Sequence, residues 1–211
     1  MERHPGTLWL VRHGESTWNA LGLVQGQKAE PELTPRGRDQ AEAVARALSS
    51  SLAGRSLRAV YSSDLRRAVQ TAAPVTAALG LAAVADPRLR ERSFGDVEGL
   101  PSRLLGTQHS GFDGERVVDA DASPPGGESI RDLVGRTAGF VEDVLVGVGA
   151  GEVDDGTGGD VVLVVHGGVV RALLAWLDGV EPDRMAWGAV GNGLVVGRPL
   201  AATRRASMSA A

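Results

Sequence analysis

The chain of 211 residues is long enough for one well-packed domain and too short for two full-sized domains with separate cores. It carries 22 Lys and Arg against 26 Asp and Glu, a formal net charge of −4, so it lacks the basic surplus typical of nucleic-acid and anionic-membrane binders. Cysteine is absent, which excludes disulfides and cysteine nucleophiles, and no apolar run is long enough to span a bilayer or form a signal peptide. We therefore expect a cytoplasmic protein with neither nucleic-acid nor membrane partners.

The first half of the chain predicts strands that alternate with helices. Its opening apolar run stops abruptly at Arg12, as expected where a buried strand leads into a loop. After Thr34, a Thr-Pro start signal and apolar residues at three- and four-residue spacing indicate a helix. The predicted elements of this half are the strand Thr7–Val11, the helix from Thr34 to about Leu52, the strand Leu57–Tyr61, the helix Leu65–Leu79 with Ser62–Asp64 as N-cap candidates, and the strand Leu81–Val84.

The second half continues the alternation. A Gly- and Asp-rich stretch from Gly147 to Asp160 is typical of a flexible surface loop, and the run that follows it is the most strand-like of the chain. The predicted elements of this half are a helix from Ile130 to about Val148 capped by Gly126–Ser129, the strand Val161–Val165, an apolar helix that runs through Trp176, and a last strand over Gly193–Val196.

This order of elements predicts an α/β fold, a three-layer sandwich with a mainly parallel central sheet and helices on both faces. Residues 86–128 are rich in Pro, Gly, Arg and Asp and break the alternation, so we interpret about 95–128 as a small cap over one end of the sheet. We expect residues 1–211 to form a single domain with a flexible tail from about 198 to 211. The short stretch after Gly193 leaves the final edge strand open.

Polar and charged residues follow three of the predicted strands. Arg12 and His13 come after the first strand, Ser62–Ser63 with Arg66–Arg67 after the second, and His166 after the most apolar one. Because ligands of α/β sheets bind at the carboxyl ends of strands, we expect these groups to share one cleft. Arginine forks and helix N-termini match phosphate oxygens, and a histidine among cations is driven to its neutral, nucleophilic form. The residues thus predict phosphoryl transfer through a phosphohistidine, with no metal and no cofactor.

Five short motifs follow one another along most of the chain: LVRHGESTWN from Leu10, SSDLRRAVQTA from Ser62, LRERSFGDVEG from Leu89, PPGGES from Pro124 and VVHGG from Val164. Together, and in this order, they resemble the histidine phosphatase superfamily in its phosphoglycerate mutase-like branch. The RHG triplet alone is a weak signal, whereas the ordered set is specific.

The resemblance implies roles for individual residues. His13 matches the nucleophile that becomes phosphorylated, and Glu91 matches the acid that protonates the leaving alkoxide and then deprotonates the attacking water. Arg12, Arg67 and a protonated His166 match the groups that balance charge on the phosphoryl oxygens. Contacts to phosphate or substrate are implied for Arg12, Asn19, Gln25, Gly26, Arg67, His166 and Gly167.

Some of these charged residues have a competing interpretation. Glu91 could instead pair with its neighbours Arg90 or Arg92 at the surface. Arg66 and Arg67 are adjacent on a helix and cannot both face the pocket. The resemblance selects Arg67, so we expect Arg66 to be solvated.

Other polar and aromatic residues are predicted to be structural. The Ser62–Ser63 pair lacks the Gly-x-Ser-x-Gly surroundings of a serine nucleophile, so we expect it to cap a helix. His4 and His109 are predicted to lie in exposed loops, and Trp176 and Trp187 in the core.

The resemblance covers both phosphatases and mutases. Mutases of this family carry ERHYG, then a lysine and an adjacent arginine pair in the cap, whereas this chain has Phe94 in place of the tyrosine. From Gly95 to Gly127 it has no lysine, and its Arg103 and Arg116 are separated. A phosphatase for a small phosphorylated metabolite, for example a sugar phosphate or glucosyl-3-phosphoglycerate, is therefore favoured over a cofactor-dependent phosphoglycerate mutase.

An alternative of another class is a non-catalytic sensor of phosphorylated ligands. Such a relative is expected to lack the nucleophile or the acid, and this chain keeps both His13 and Glu91. A metal-dependent hydrolase is disfavoured because no HExxH or HxxEH spacing occurs. The substrate depends on the cap between Leu100 and Ser123, and a homodimer stays open.

Overall fold

A computed structural model describes residues 6–105, 110–146 and 159–200. Its strands alternate with helices and confirm the α/β class. The strands are β1 (Thr7–Arg12), β2 (Leu57–Ser62), β3 (Ala83–Ala85), β4 (Asp160–Val165) and β5 (Val195–Pro199), and the helices are α1 (Thr17–Leu21), α2 (Pro35–Ser51), α3 (Arg66–Leu79), α4 (Ile130–Val146) and α5 (Gly167–Leu177).

The strands of the described chain form one sheet in the order β3-β2-β4-β1-β5. The first four are mutually parallel, and β5 adds an antiparallel edge beside β1. All six residues of β4 are buried, as expected for a central parallel strand covered on both faces. Burial of each Val or Leu side chain in it contributes roughly 1.5–3 kcal/mol.

Alternate residues of the strands feed two cores on opposite faces of the sheet. On one face Leu10, Leu163 and Val165 pack with α4 and α5, around Phe140 and Leu173. The other face packs against α2 and α3, with the core residues Val11, Val44, Leu48, Val60, Val75, Val162 and Val164. The period-two alternation of β1 and β4 thus produces the helix–sheet–helix sandwich that the sequence predicts.

The helix start at Thr34 is confirmed, but the predicted cap of α3 is wrong. Thr34 is the N-cap of α2, and its hydroxyl accepts a hydrogen bond from the Gly37 N–H at 3.0 Å. The N-cap of α3 is Leu65, which has no side-chain capping bond. The Ser62 hydroxyl donates to the Ser63 carbonyl, and the Ser63 hydroxyl accepts from the Leu65 N–H and also contacts the candidate site described below.

The predicted last strand is present, and the predicted tail begins too early. Arg198 and Pro199 belong to β5, where they lie opposite Leu8 and Thr7. An edge strand is held by backbone hydrogen bonds and does not require apolar side chains, so a polar sequence gives no hydrophobic pattern that would predict it. Residues 201–211 of the predicted tail lie outside the described residues.

The predicted surface loop from Gly147 to Asp160 also ends differently. Its residues 147–158 lie outside the described part, while Asp160 is the first residue of β4. The buried Asp160 carboxylate accepts from the Arg55 guanidinium at 2.5 and 2.7 Å and from the Thr7 N–H at 2.8 Å. These bonds fix the amino end of the sheet, away from the candidate site.

The cap lies over the carboxyl ends of the parallel strands. It contains short 3₁₀ turns at Gly95–Val97 and Ser102–Leu104, and it pairs with the rest of the fold through isolated bridges, Leu23 with Pro101 and Arg116 with Ala186. Among the described residues, no helix is both long and apolar enough to cross a membrane.

Candidate active site

The carboxyl ends of β1, β2 and β4 bring the predicted residues together. The His13 N–H donates to the Val165 carbonyl at 2.9 Å, and the Ser63 N–H donates to the Val164 carbonyl at 3.0 Å. The rings of His13 and His166 meet edge to face, with centroids 5.1 Å apart. The expected convergence of strand ends on one site is therefore observed.

The geometry of His13 leaves one ring nitrogen with a free lone pair. Its Nδ1 lies 2.7 Å from the Gly14 carbonyl oxygen. Because a carbonyl only accepts, Nδ1 carries the proton and Nε2 holds the lone pair. Burial, together with the charges of Arg67 and Arg12, lowers the pKa of His13 well below 6.5. The residue is therefore neutral and nucleophilic near pH 7.

His166 differs from the sequence-based expectation of a protonated ring. It is fully buried, and this burial together with the charges of Arg67 and His13 lowers its pKa well below 6.5. Its Nε2 lies 2.8 Å from the Ser63 hydroxyl, and its Nδ1 has no hydrogen-bond partner among the described residues. The free site thus holds a neutral His166, and an incoming phosphate dianion would favour its protonation.

Two arginines present unpaired donors to the same space. Arg67 is fully buried and donates from its terminal nitrogens to the carbonyls of Gly26 and Lys28 at 2.8 and 2.9 Å. Arg12 donates to the Val190 carbonyl. The buried Nε atoms of both arginines have no partner among the described residues. Burial lowers the pKa of Arg67 to about 10, which leaves the cation intact at neutral pH.

Glu91 is held by backbone groups and not by its arginine neighbours. Its Oε1 accepts from the Arg92 N–H at 2.9 Å, and its Oε2 accepts from the Gly168 N–H at 3.0 Å at the start of α5. A Cβ on Gly168 would collide with the carboxylate, so this close approach requires glycine. Arg90 pairs with Asp64 at 2.6 Å, so the surface ion-pair interpretation of Glu91 is wrong.

The residues implied as substrate contacts surround this centre. Asn19 and Gln25 line the cavity, and the Ser16 hydroxyl joins them by donating to the Gln25 Oε1 at 2.6 Å. Gly26 also lines the cavity, with a positive φ of 47°, and its carbonyl holds Arg67. A Cβ on Gly167 would lie 3.4 Å from the Arg12 Nε, so the backbone of α5 passes close to that guanidinium.

An open cavity of about 390 Å³ lies between the strand ends and the cap, and Arg12 and Glu91 of this centre are among the residues that line it. Its walls combine charged groups with apolar ones. The lining residues include Arg12, Asn19, Gln25, Gly26, Glu91, Phe94, Leu105, Phe112, Arg171 and Trp187. Its size fits a small metabolite.

Three side chains have contacts at the site that the sequence-based interpretation did not assign to them. Ser63 was predicted to cap a helix and instead contacts His166, over 103 residues of chain. Trp187 is buried as predicted but also lines the cavity. Arg171 lines the cavity one helical turn beyond Gly167, and that i, i+4 spacing is the signal that could have found it.

The remaining predictions concern residues away from the cavity. Arg66 is half-exposed and pairs with Glu32 at 2.7 Å, close to the predicted solvation. Trp176 is partly buried against the core. His4 and His109 lie outside the described residues. Among the residues that the structure describes, no three His, Asp or Glu side chains form a metal-ligating group.

Fold and site together define an α/β protein in which a buried neutral histidine lies among arginine donors suited to a phosphoryl group. The model of the histidine phosphatase superfamily, branch 1, matches residues 8–197. The chain belongs to this superfamily.

Relatives within the superfamily include both mutases and phosphatases. The chain is 34% identical to the 2,3-bisphosphoglycerate-dependent phosphoglycerate mutase of Azorhizobium caulinodans, over 92% of this chain and 89% of that one. It is 37% identical to the glucosyl-3-phosphoglycerate phosphatase of Mycobacterium tuberculosis, over 81% and 74%. A solved mycobacterial glucosyl-3-phosphoglycerate phosphatase in complex with VO3 superposes with a TM-score of 0.74 at 33% identity, over 91% and 92% of the two chains.

Proposed function

We propose that the protein is a phosphatase that hydrolyses a small phosphomonoester through a phosphohistidine at His13. One observation carries the proposal: a neutral His13 with a free Nε2 lone pair lies beside the buried, unpaired Nε donors of Arg12 and Arg67. Such donors favour the charge that develops on phosphoryl oxygens, and the lone pair supplies the nucleophile.

The reaction proceeds in two transfers. The His13 Nε2 attacks phosphorus while the bond from phosphorus to the ester oxygen breaks, and the leaving alkoxide takes a proton from the Glu91 carboxylic acid. Water then attacks the phosphohistidine, its proton passes to the Glu91 carboxylate, and the phosphorus–nitrogen bond breaks. Inorganic phosphate leaves, and His13 and Glu91 return to their initial forms. Arg12, Arg67 and His166 hold the phosphoryl oxygens throughout.

Hydrolysis is favoured over mutase activity by the positions of the cap cations. A mutase must hold a second anionic group of a bisphosphate intermediate with further cations. Arg116 is exposed and pairs with Asp113, and Arg103 is exposed in its 3₁₀ turn. Neither is among the residues that line the cavity, and residues 106–109 contain neither lysine nor arginine.

The substrate class follows from the cavity and from the relatives. We propose a small phosphorylated metabolite such as a sugar phosphate or a phosphoglycerate derivative, which includes the substrate named for the mycobacterial relatives. The net charge of −4 opposes a nucleic-acid substrate, and we propose a cytoplasmic site of action. A homodimer stays a prediction.

The test is release of inorganic phosphate from a panel of phosphorylated sugars, glycerates and nucleotides in the presence of EDTA. We expect turnover by the wild type, its loss in His13→Ala, and its retention in His4→Ala, a matched histidine change outside the motifs. Activity that survives unchanged in His13→Ala would end the phosphohistidine proposal. Activity that EDTA abolishes would indicate a metal mechanism instead.

A separate assay distinguishes phosphatase from mutase. The protein is incubated with 3-phosphoglycerate and a trace of 2,3-bisphosphoglycerate. We expect phosphate release without accumulation of 2-phosphoglycerate. Rapid formation of 2-phosphoglycerate without phosphate release would favour the mutase.

A further inference from the structure

Arg171 is held in a fixed position with part of its fork unused. Its Nε donates to the Gly188 carbonyl at 2.7 Å, and its guanidinium lies over the Trp187 ring, 5.0 Å from the centroid. Its terminal nitrogens have no hydrogen-bond partner among the described residues, although the side chain lines the cavity. A hydrogen bond and a stacking contact thus fix a cation whose remaining donors are free.

Arg171 lies next to the phosphoryl site but is not one of the arginines assigned to the phosphoryl oxygens. A Cβ on Gly167 would lie 3.3 Å from a terminal nitrogen of Arg171 and 3.4 Å from the Arg12 Nε. The two guanidinium groups therefore flank one backbone position at the start of α5. A ligand group held by Arg171 would be close to the phosphate but separate from it.

Arg171 forms no ion pair among the described residues, although the charge of Glu91 acts on it from across the cavity. A phosphomonoester dianion is matched by Arg12 and Arg67, whose buried Nε atoms are unpaired. Glu91 is the acid of the proposed reaction, and no ion pair joins it to Arg171 in the described chain. The other arginine of the wall, Arg92, donates to three carbonyls of the cap. Within the described part of the chain, Arg171 is therefore a cation of the cavity that can take a further anionic group.

The shape of this position favours a carboxylate. A planar fork matches the two oxygens of a carboxylate, and a single charge matches a single remaining cation. A second phosphate dianion needs more positive charge, and the exposed Arg103 and Arg116 are not among the lining residues. The stacked rings of Phe112 and Trp187, with centroids 4.9 Å apart, make this wall apolar and strengthen the attraction.

We propose that Arg171 is a specificity residue that binds a carboxylate next to the reacting phosphate, so that the preferred substrates are phosphorylated hydroxy acids. This inference rests on the proposed phosphatase function and names its substrate class. The Phe112–Trp187 wall would then contact the rest of the substrate.

The test compares two substrates that differ at one group. 3-Phosphoglycerate carries a carboxylate where glycerol 3-phosphate carries a neutral hydroxymethyl group. Because the carboxylate gains a charge-assisted hydrogen bond that the hydroxymethyl group cannot make, we expect wild-type kcat/KM to favour 3-phosphoglycerate by about 10- to 100-fold. In Arg171→Met the preference should fall to within about threefold, mainly through 3-phosphoglycerate. Arg184→Met, the same change at an exposed arginine, should keep the wild-type ratio.

A second measurement needs no variant. The primary amide of 3-phosphoglycerate is close to the acid in size and shape but lacks its charge, and it should lose the same preference in the wild type. A wild-type ratio near one, or a ratio unchanged in Arg171→Met, would overturn the carboxylate site while His13-dependent hydrolysis of both esters upheld the phosphatase. Hydrolysis independent of His13 would instead refute the proposed function itself.

Discussion

Two arginines of this protein are equally buried but have different surroundings. Arg67, beside the two histidines of the candidate site, and Arg92, which donates to carbonyls of the cap, are both fully buried, and burial lowers the pKa of each to about 10. Arg92 donates to the carbonyls of Ser110, Ala122 and Glu128. Arg67 uses two nitrogens on carbonyls and leaves its buried Nε unpaired beside His13.

The difference separates a residue that stabilises the fold from one that prepares a site. A buried cation whose nitrogens all donate to carbonyls stabilises the native structure, because its removal leaves those carbonyl oxygens without hydrogen-bond donors. A buried cation with a free donor costs stability until an anion enters. Arg67 therefore favours the binding of phosphate, whereas Arg92 stabilises the fold without a ligand.

The largest expected effect is a contrast between two variants: replacing Arg67 should mainly lower activity, and replacing Arg92 should mainly lower stability. Arg67→Met should lower kcat/KM by about 1000-fold because it removes phosphoryl stabilisation, and should change the free energy of unfolding by less than about 2 kcal/mol. Arg92→Met should lower the free energy of unfolding by about 3–5 kcal/mol and affect kcat/KM of the folded fraction by at most about tenfold. Urea unfolding and steady-state kinetics measure both.

Binding of phosphate to the folded state provides a second comparison of Arg67 with Arg92. Inorganic phosphate should raise the midpoint of thermal unfolding of the wild type and of Arg92→Met, since it binds the folded state alone, and should leave Arg67→Met nearly unchanged. A phosphate response in Arg67→Met equal to that of the wild type would contradict the assignment of Arg67 to the phosphate site.

The next effect separates chemistry from structure at Glu91. Glu91→Gln should slow alkyl phosphates, whose leaving groups need a proton, by about 100- to 10,000-fold, and aryl phosphates with good leaving groups by less than about tenfold. Glu98→Gln is the matched control because Glu98 accepts backbone bonds from Gln27 and Phe94 and is assigned no proton transfer. We expect it to affect both ester types equally. Equal losses in Glu91→Gln would favour a structural role.

The smallest expected effect is the pH dependence that His13 and His166 give to the free energy of unfolding. His13 and His166 have lowered pKa values when folded and gain protons more readily when unfolded, so their contribution is present above about pH 6.5 and is lost as the pH falls below it. Each should reduce the free energy of unfolding by up to about 1.4 kcal/mol per pH unit. Hydrogen bonds from Arg90 and Arg88 lower the pKa values of Asp64 and Asp86, so these titrate at lower pH.

Urea unfolding between pH 7.5 and 5 measures this slope. His166→Asn should remove part of it and the double variant with His13→Asn most of it. A wild-type slope retained in the double variant would show that other groups are responsible.

The parts of the site that the sequence predicts are those that strand ends and motifs specify locally. His166 directly follows an apolar run, His13 lies one residue beyond another, and Arg67 is the second residue of α3, so the parallel sheet brings them together. The contact between Ser63 and His166 was not predicted because it joins the ends of two strands that are far apart in the sequence. A serine just before a helix is also typical of an N-cap. Local sequence does not distinguish a capping hydroxyl from one that faces a neighbouring strand.

Long-range contacts explain the remaining differences. Arg171 looks like any polar residue of an apolar helix until its contacts with Trp187 and Gly188 are known. The pKa of His166 depends on burial and on cations from other elements, so the expected protonation was wrong for the free site. Arg198 and Pro199 form an edge strand through backbone pairing that their side chains do not reveal.

The stereochemical course of hydrolysis tests covalent transfer most directly. The substrate is a phosphorothioate monoester made chiral at phosphorus with two oxygen isotopes; it is hydrolysed in water that carries the third isotope, and the configuration of the released thiophosphate is read by NMR. Each in-line transfer inverts phosphorus, so transfer to His13 followed by transfer to water predicts overall retention. Overall inversion would mean that water attacks the ester directly, and would contradict the phosphohistidine mechanism.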